Sequence, residues 1–212
     1  MREVIPGILE KNFSDVEKKI DSVKSFATVI HIDFIDNKFA SNLTVLDPAF
    51  FRKYSGEFFL EAHLMVDEPI NYLDGLSRAG FKRFLGHIEK MSSISDFVAK
   101  AQTLGETGLA LDLETELKEL DIRFEDLDVV LLMGVKAGLS GQQFSQKTLE
   151  KIKAVRQKTA IPIEVDGGIN DKTIIDCKKA GADRFISTSF IFNGEPRSQY
   201  DKLLSLVNVQ QF

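Results

Sequence analysis

Hydrophobic residues along the chain fall into two alternating kinds of segment. Eight short runs are rich in Val, Ile, Leu and Phe with little polar alternation, which is typical of strands buried on both faces of a parallel sheet. These runs are residues 3–9, 29–34, 58–65, 83–89, 108–113, 129–135, 161–166 and 184–189. Longer segments with helical periodicity lie between most of them, at residues 13–25, 69–79, 94–104, 144–159, 173–180 and 199–207.

The spacing of the short runs is nearly constant, about 22–32 residues from one to the next, as in repeated βα units. Eight such units predict an α/β chain folded as a (β/α)₈ TIM barrel. A doubly wound sheet is the alternative, but its GxGxxG segment after the first strand is not found in this chain. The chain shows no linker or break in composition, so we expect one domain over residues 1–212. The segment 35–47, after the second strand, is the best candidate for a lid or substrate loop.

Composition narrows the class of protein. The 212 residues are 43% hydrophobic and 28% charged, which supports a folded core. A net charge of −5 argues against nucleic acid as a partner. No apolar stretch is long enough to span a membrane, and the N-terminal residues lack the features of a signal peptide, so we expect a cytoplasmic protein without a membrane partner. The single cysteine, Cys177, excludes a disulfide framework and a zinc site built from cysteines.

The three histidines, His31, His63 and His87, all lie within or at the end of predicted strands. Active sites of barrels lie at the C-terminal ends of the strands. Asp33 follows His31 by two residues and therefore faces the same side of its strand, and Asp166 ends the seventh strand. A set of His31, Asp33, His63 and Asp166 suits one divalent ion such as Zn²⁺, Fe²⁺, Mn²⁺ or Co²⁺. A hydrogen-bond network without a metal is the alternative.

Glycines and hydroxyl residues follow the last three predicted strands. They are Gly138, Leu139, Ser140 and Gly141 after the sixth, Gly167 and Gly168 after the seventh, and Thr188 and Ser189 after the eighth. Backbone N–H groups in such turns can bind a phosphate, and in barrels a phosphate site is common after strands 7 and 8. Ordinary turns between strand and helix are the alternative for each group of glycines taken singly.

Several segments resemble those of ribulose-phosphate 3-epimerases, in the same order and spacing from residue 5 to about residue 192. The matching segments are His31–Asp36 (HxDxMDG in the family), Phe39–Asn42 (FVPN), Glu61–Pro69 (DxHLMxxxP), His87–Glu89 (HxE), Leu132–Phe144 (MSVxPGFxGQxF) and Glu164–Asn170 (EVDGGxN).

The resemblance implies epimerisation at C3 of a phosphorylated ketose, with D-ribulose 5-phosphate and D-xylulose 5-phosphate as the expected pair. It implies that Asp33 and Asp166 act as acid and base on opposite faces of the substrate, through an enediolate. It also implies that the same two aspartates, with His31 and His63, hold one divalent metal ion. The expected partner is a small phosphosugar, bound by His63, Gly7 and the glycine-rich turns. A homo-oligomer, either a dimer or a hexamer, is expected as well.

The chain departs from the family pattern around the substrate rather than at the proposed metal ligands. Gly7 and Thr188 stand where the family has Ser and Gly, and the other departures are Ile35, Asn37, Lys136 and Ala137. The open space expected beside Gly7 and the altered residues 136–139 keep a ketohexose 6-phosphate as an alternative substrate. A non-catalytic phosphate-binding barrel is a further alternative, although all four proposed metal ligands are retained.

Overall fold

Eight parallel strands pair in chain order and close into a barrel, which confirms the predicted fold class. The structure is a computed structural model that describes residues 2–139 and 141–208. The strands are β1 (Glu3–Ile8), β2 (Val29–Ile35), β3 (Phe59–Met65), β4 (Phe81–His87), β5 (Glu106–Leu111), β6 (Val129–Met133), β7 (Ile163–Asp166) and β8 (Arg184–Ser187). All eight overlap the predicted runs, and the largest shifts are in β4 and β5, which begin two residues earlier than predicted.

Helices connect most of the strands on the outside of the barrel. They are α1 (Phe13–Val23), α2 (Leu73–Ala79), α3 (Ile94–Gln102), α4 (Lys147–Arg156), α5 (Thr173–Ala180), α6 (Ser189–Phe192) and α7 (Pro196–Asn208). The six predicted helices are present, whereas the short α6 was not predicted. Two connections hold 3₁₀ helix instead of α-helix: Pro48–Tyr54 between β2 and β3, and Leu117–Glu119 with Phe124–Asp126 between β5 and β6.

Local sequence explains where several helices begin and end. The side chain of Asn12 accepts a hydrogen bond from the backbone N–H of Asp15 at the start of α1, and Ser93 caps α3 in the same way. At the C-terminus of α2, Gly80 has φ of 96° and continues into β4. The predicted helix over 69–79 begins instead as a 3₁₀ turn at Pro69–Tyr72.

Alternate residues of each strand face opposite sides of the barrel wall. On β2, Ile30, Ile32 and Phe34 pack outward in the large core under the helices. His31 and Asp33 on the same strand lie in the barrel interior instead. The upper interior is apolar at Ile35, Met65, Leu85, Leu131 and Met133, which form a second, smaller core cluster with their neighbours. The barrel interior therefore combines this apolar cluster with buried polar and charged side chains on β2, β3, β4 and β7.

The loop after β2 crosses the mouth of the barrel and is fixed at several points. The side chain of Asn42 donates a 2.8 Å hydrogen bond to the carbonyl of Gly138. Thr44 donates from Oγ1 to the carbonyl of Asp33 and accepts from the amide of Ile35. These contacts connect the loop to the ends of β2 and to the turn after β6, and its role as a lid stays a prediction. Among the helices that the structure describes, none has the length and apolar character to cross a membrane.

Candidate active site

Four side chains from three strands meet inside the barrel. His31 and Asp33 come from β2, His63 from β3 and Asp166 from β7, and one potential ligand atom of each lies within 4.8 Å of all the others. His63 Nδ1 is 2.8 Å from Asp33 Oδ1 and 3.5 Å from Asp166 Oδ2. His31 Nε2 is 3.3 Å from Asp33 Oδ1. The four residues are buried, so their charged groups need partners within this cluster.

The cluster fits a divalent metal ion. His31 Nε2 is buried and has no hydrogen-bond partner among the described residues, although it faces the carboxylates of the cluster. An imidazole nitrogen in this position beside two aspartates is a suitable metal ligand when it is unprotonated. Two imidazole nitrogens and two carboxylate oxygens are available, which is compatible with each of the four ions considered above.

The second ring nitrogen of His31 and of His63 is held by a side chain from a neighbouring strand. His31 Nδ1 lies 2.5 Å from Glu61 Oε1. His63 Nε2 lies 3.0 Å from His87 Nε2, and His87 Nδ1 lies 2.8 Å from Glu89 Oε2. Such partners fix the ring orientation and tautomer of a metal-binding histidine. Both histidines are therefore held with one nitrogen facing the cluster.

The two aspartates have different proton affinities. Burial raises the pKa of Asp33, but the His31 and His63 imidazoles beside it more than offset this and bring it well below its ordinary value. Burial, together with the negative charge of Asp33, raises the pKa of Asp166 to about 6. Environments that give two neighbouring carboxylates different pKa values are typical of acid and base pairs. Asp33 is thus the ionised partner, and Asp166 can hold a proton close to neutral pH.

A buried charge network lies below the cluster, and the sequence analysis did not predict it. Arg83 donates hydrogen bonds to Glu61 and, at 2.7 Å, to Glu106. Both carboxylate oxygens of Glu164 are buried without a hydrogen-bond partner among the described residues. Burial and the charge of Glu61 raise the pKa of Glu164 to about 7. Glu61 and Glu164 each precede a cluster residue by two positions, so strand periodicity alone could have placed them inside.

A cavity opens above the cluster toward the C-terminal ends of the strands. Asp33 and Asp166 line its base, and Met65 and Met133 line its walls. Its rim contains seven residues predicted to bind the substrate, namely Gly138, Leu139, Gly141, Gly167, Gly168, Thr188 and Ser189. Ser140, predicted with them, lies outside the described residues. The structure therefore brings the proposed acid/base pair and most of the proposed phosphate site into one cavity.

Two residues predicted to contact the substrate do not line this cavity. His63 is fully buried beneath it. Gly7 lies behind Thr188: a Cβ atom at position 7 would come 2.4 Å from Thr188 Oγ1. The open space expected beside Gly7 was therefore wrong, because the Thr188 side chain fills it.

The turn after β7 has the geometry of an anion site. Gly167 and Gly168 have φ of 99° and 71°, a left-handed conformation that glycine adopts without strain. The amide of Gly168 donates no hydrogen bond within the described part of the chain. A Cβ at Gly134 would come 2.1 Å from the carbonyl oxygen of Gly167, so the end of β6 supports this turn directly.

Comparison with known proteins gives consistent results. A sequence profile of the ribulose-phosphate 3 epimerase family matches residues 3–192. Ribulose-phosphate 3-epimerase of Chlamydia trachomatis is 31% identical, with 96% of this chain and 91% of that protein covered. The Bacillus subtilis and Escherichia coli enzymes of the same name are 32% and 31% identical, and the matches cover 94% and 90% of this chain and 96% and 88% of those proteins.

Solved structures support the fold independently. 3-Keto-L-gulonate-6-phosphate decarboxylase from Vibrio cholerae superposes with a TM-score of 0.75 at 12% identity, with 98% of each chain covered. 3-Hexulose-6-phosphate synthase from Salmonella typhimurium superposes with a TM-score of 0.72 at 14% identity, also with 98% of each chain covered. At such low identity these matches show the barrel alone, whereas the match to the sequence family covers nearly the whole chain. The chain therefore belongs to the ribulose-phosphate 3-epimerase family and is an isomerase that acts on carbohydrates.

Proposed function

We propose that this protein interconverts D-ribulose 5-phosphate and D-xylulose 5-phosphate by inverting C3. The observation that carries the proposal is the position of Asp33 and Asp166 together at the base of one cavity, below a rim of glycine-rich turns. The ketopentose is favoured over a ketohexose 6-phosphate because Thr188 fills the space beside Gly7 that a larger substrate would need.

One carboxylate removes a proton from the substrate, and the other returns a proton to it. The C3 hydrogen of the substrate is weakly acidic because it lies next to the C2 carbonyl. Asp33, held ionised by two histidines, removes this proton from one face, which leaves an enediolate. Asp166, whose raised pKa lets it carry a proton, returns one to the opposite face. In the reverse direction the two aspartates exchange these tasks, so the pair catalyses both.

The same residues would hold one divalent ion. His31 Nε2, His63 Nδ1 and the carboxylates of Asp33 and Asp166 face one another, and the Nε2 atom lacks any other partner in the described structure. Zn²⁺, Fe²⁺, Mn²⁺ and Co²⁺ all suit this donor set. When bound, the ion supplies positive charge that stabilises negative charge developing on the substrate oxygens. Glu61 and His87 hold the two imidazoles so that their free nitrogens face this point.

The rim binds the phosphate through backbone amides. Gly138, Leu139 and Gly141, the turn at Gly167–Gly168 and the start of α6 at Ser189 surround the outer part of the cavity. Peptide N–H groups attract an anion locally even though the chain is acidic overall. A cytoplasmic homo-oligomer, as a dimer or a hexamer, stays a prediction.

The test is incubation of the purified protein with several ketose phosphates in D₂O, followed by NMR. We expect deuterium at C3 together with inversion for ribulose 5-phosphate, and much slower reaction with ketohexose 6-phosphates. Asp33→Asn should abolish both, whereas Asp21→Asn, on the exposed face of α1, serves as the matched carboxylate control. Absence of C3 exchange in the wild-type protein with every sugar would contradict an epimerase and favour the non-catalytic barrel.

A further inference from the structure

Positions 7 and 188 compete for one space in the barrel wall. A Cβ atom on Gly7 would lie 2.4 Å from Thr188 Oγ1 and 2.8 Å from Ile186 Cγ2, distances too short for non-bonded atoms. A side chain at position 7 is therefore incompatible with Thr188 in its present conformation. The segments that this chain resembles have the opposite arrangement, with Ser at position 7 and Gly at position 188. In this chain the hydroxyl is at position 188, directly after β8.

The Thr188 hydroxyl lies beside β1, next to the strand that carries His31 and Asp33. Gly7 pairs in register with His31, so the space that the hydroxyl occupies is beside the first residue of the cluster. Thr188 lines the same cavity as Asp33 and Asp166. Within the described residues, no protein group makes a hydrogen bond with its Oγ1, although the residue is half-buried. A polar atom placed in a cavity without a protein partner is available to a ligand.

We propose that Thr188 is a specificity-determining residue whose hydroxyl binds an oxygen at the reacting end of the ketose, and that Gly7 is required to leave it room. The inference rests on the proposed function, since it assigns the contact to the substrate of that reaction. It separates two roles around the cavity. The glycine turns bind the phosphate, and Thr188 binds the sugar. The Thr188 side chain, directly after β8, limits the space beside β1. The smaller space favours the shorter ketopentose.

The first test removes only the hydroxyl. Thr188→Val keeps the shape of the side chain, and Thr188→Ser keeps the hydroxyl. Calorimetry should show ribulose 5-phosphate binding about 3- to 10-fold more weakly to Thr188→Val, the usual effect of losing one neutral hydrogen bond, and close to the wild-type affinity for Thr188→Ser. Inorganic phosphate probes the glycine turns alone, so its affinity should be equal in all three proteins. Equal sugar phosphate affinity in Thr188→Val, or a parallel loss of phosphate affinity, would overturn the assignment.

The second test uses the competition between the two positions. Gly7→Ser alone should lower the melting temperature and weaken sugar phosphate binding, because its Cβ meets Thr188. Gly7→Ser combined with Thr188→Gly should recover part of both losses, with Ile186 limiting the recovery. If the effects of the two substitutions are strictly additive, positions 7 and 188 do not compete for one space. Because affinity for the equilibrated sugar phosphate and melting temperature are measured without following a reaction rate, these results stand apart from the epimerase assay. Ribulose 5-phosphate bound through Thr188 but not turned over would contradict only the proposed reaction.

Discussion

Asp33 and His63 are register partners across the β2–β3 pair, and this pairing brings His63 Nδ1 within 2.8 Å of Asp33 Oδ1. The contact is a consequence of backbone pairing, since side chains at paired positions point to the same face of the sheet. A slip of β3 by one residue would turn His63 toward the helices and away from Asp33. The positions of these two side chains at the base of the site are therefore fixed by the strand pairing of the barrel wall.

Glu61 is expected to control metal affinity through His31. Its carboxylate holds His31 Nδ1 at 2.5 Å, which leaves Nε2 free for the ion. Glu61→Gln removes the charge that fixes this tautomer and should weaken binding of Zn²⁺ or Co²⁺ by about 10- to 100-fold, as measured by competition with a chelator. Glu106→Gln, which changes the other, more exposed partner of Arg83, is the matched control and should keep the wild-type affinity. If the two variants bind the metal ion equally well, Glu61 does not control metal affinity.

The sequence predicts the fold and the four clustered residues because both depend on local periodicity. Eight runs at near-regular spacing define the barrel, and the two-residue step from His31 to Asp33 places both inside. Contacts between distant strands are not encoded locally. The filling of the space beside Gly7 by Thr188 depends on the closure of β1 against β8, which no local pattern reveals. The 3₁₀ helix at Pro48–Tyr54 was also missed, since a short Pro-initiated turn lacks helical periodicity.

The turn after β7 should be sensitive to the end of β6. A Cβ on Gly134 would meet the carbonyl oxygen of Gly167 at 2.1 Å, so Gly134→Ala must displace the proposed phosphate turn. We expect KM for the sugar phosphate to rise about 10-fold or more, with weaker inhibition by inorganic phosphate, a loss comparable to one or two hydrogen bonds to a charged group. Gly56→Ala has open space around the new Cβ and serves as the control. If Gly134→Ala binds inorganic phosphate as the wild-type protein does, the turn is not the phosphate site.

Buried Glu164 should make the stability of the metal-free protein depend on pH. Its pKa rises from an ordinary 4.5 to about 7 in the folded protein, because of burial and the charge of Glu61. Between these values the folded chain keeps a proton that the unfolded chain has released. Stability contributed by this group therefore falls as the pH rises from about 4.5 to 7, by up to about 3 kcal/mol. Glu164→Gln carries no such proton. The free energy of unfolding of this variant, measured with urea, should therefore increase relative to that of the wild-type protein as the pH rises through this range. If the two proteins show parallel pH profiles, the assignment to Glu164 is contradicted.

The proposed mechanism requires Asp33 and Asp166 to act on opposite faces of the substrate. The direct measurement compares C3 exchange with inversion in Asp166→Asn, after confirming that the variant still binds the metal ion. Asn keeps the shape of the side chain and a possible oxygen ligand but cannot transfer the proton. Epimerisation should fall by at least about 10²- to 10⁴-fold in both directions. Asp33 should still exchange the C3 proton of one epimer with D₂O without inverting it. Epimerisation by Asp166→Asn at a rate near that of the wild-type enzyme would contradict the two-carboxylate mechanism.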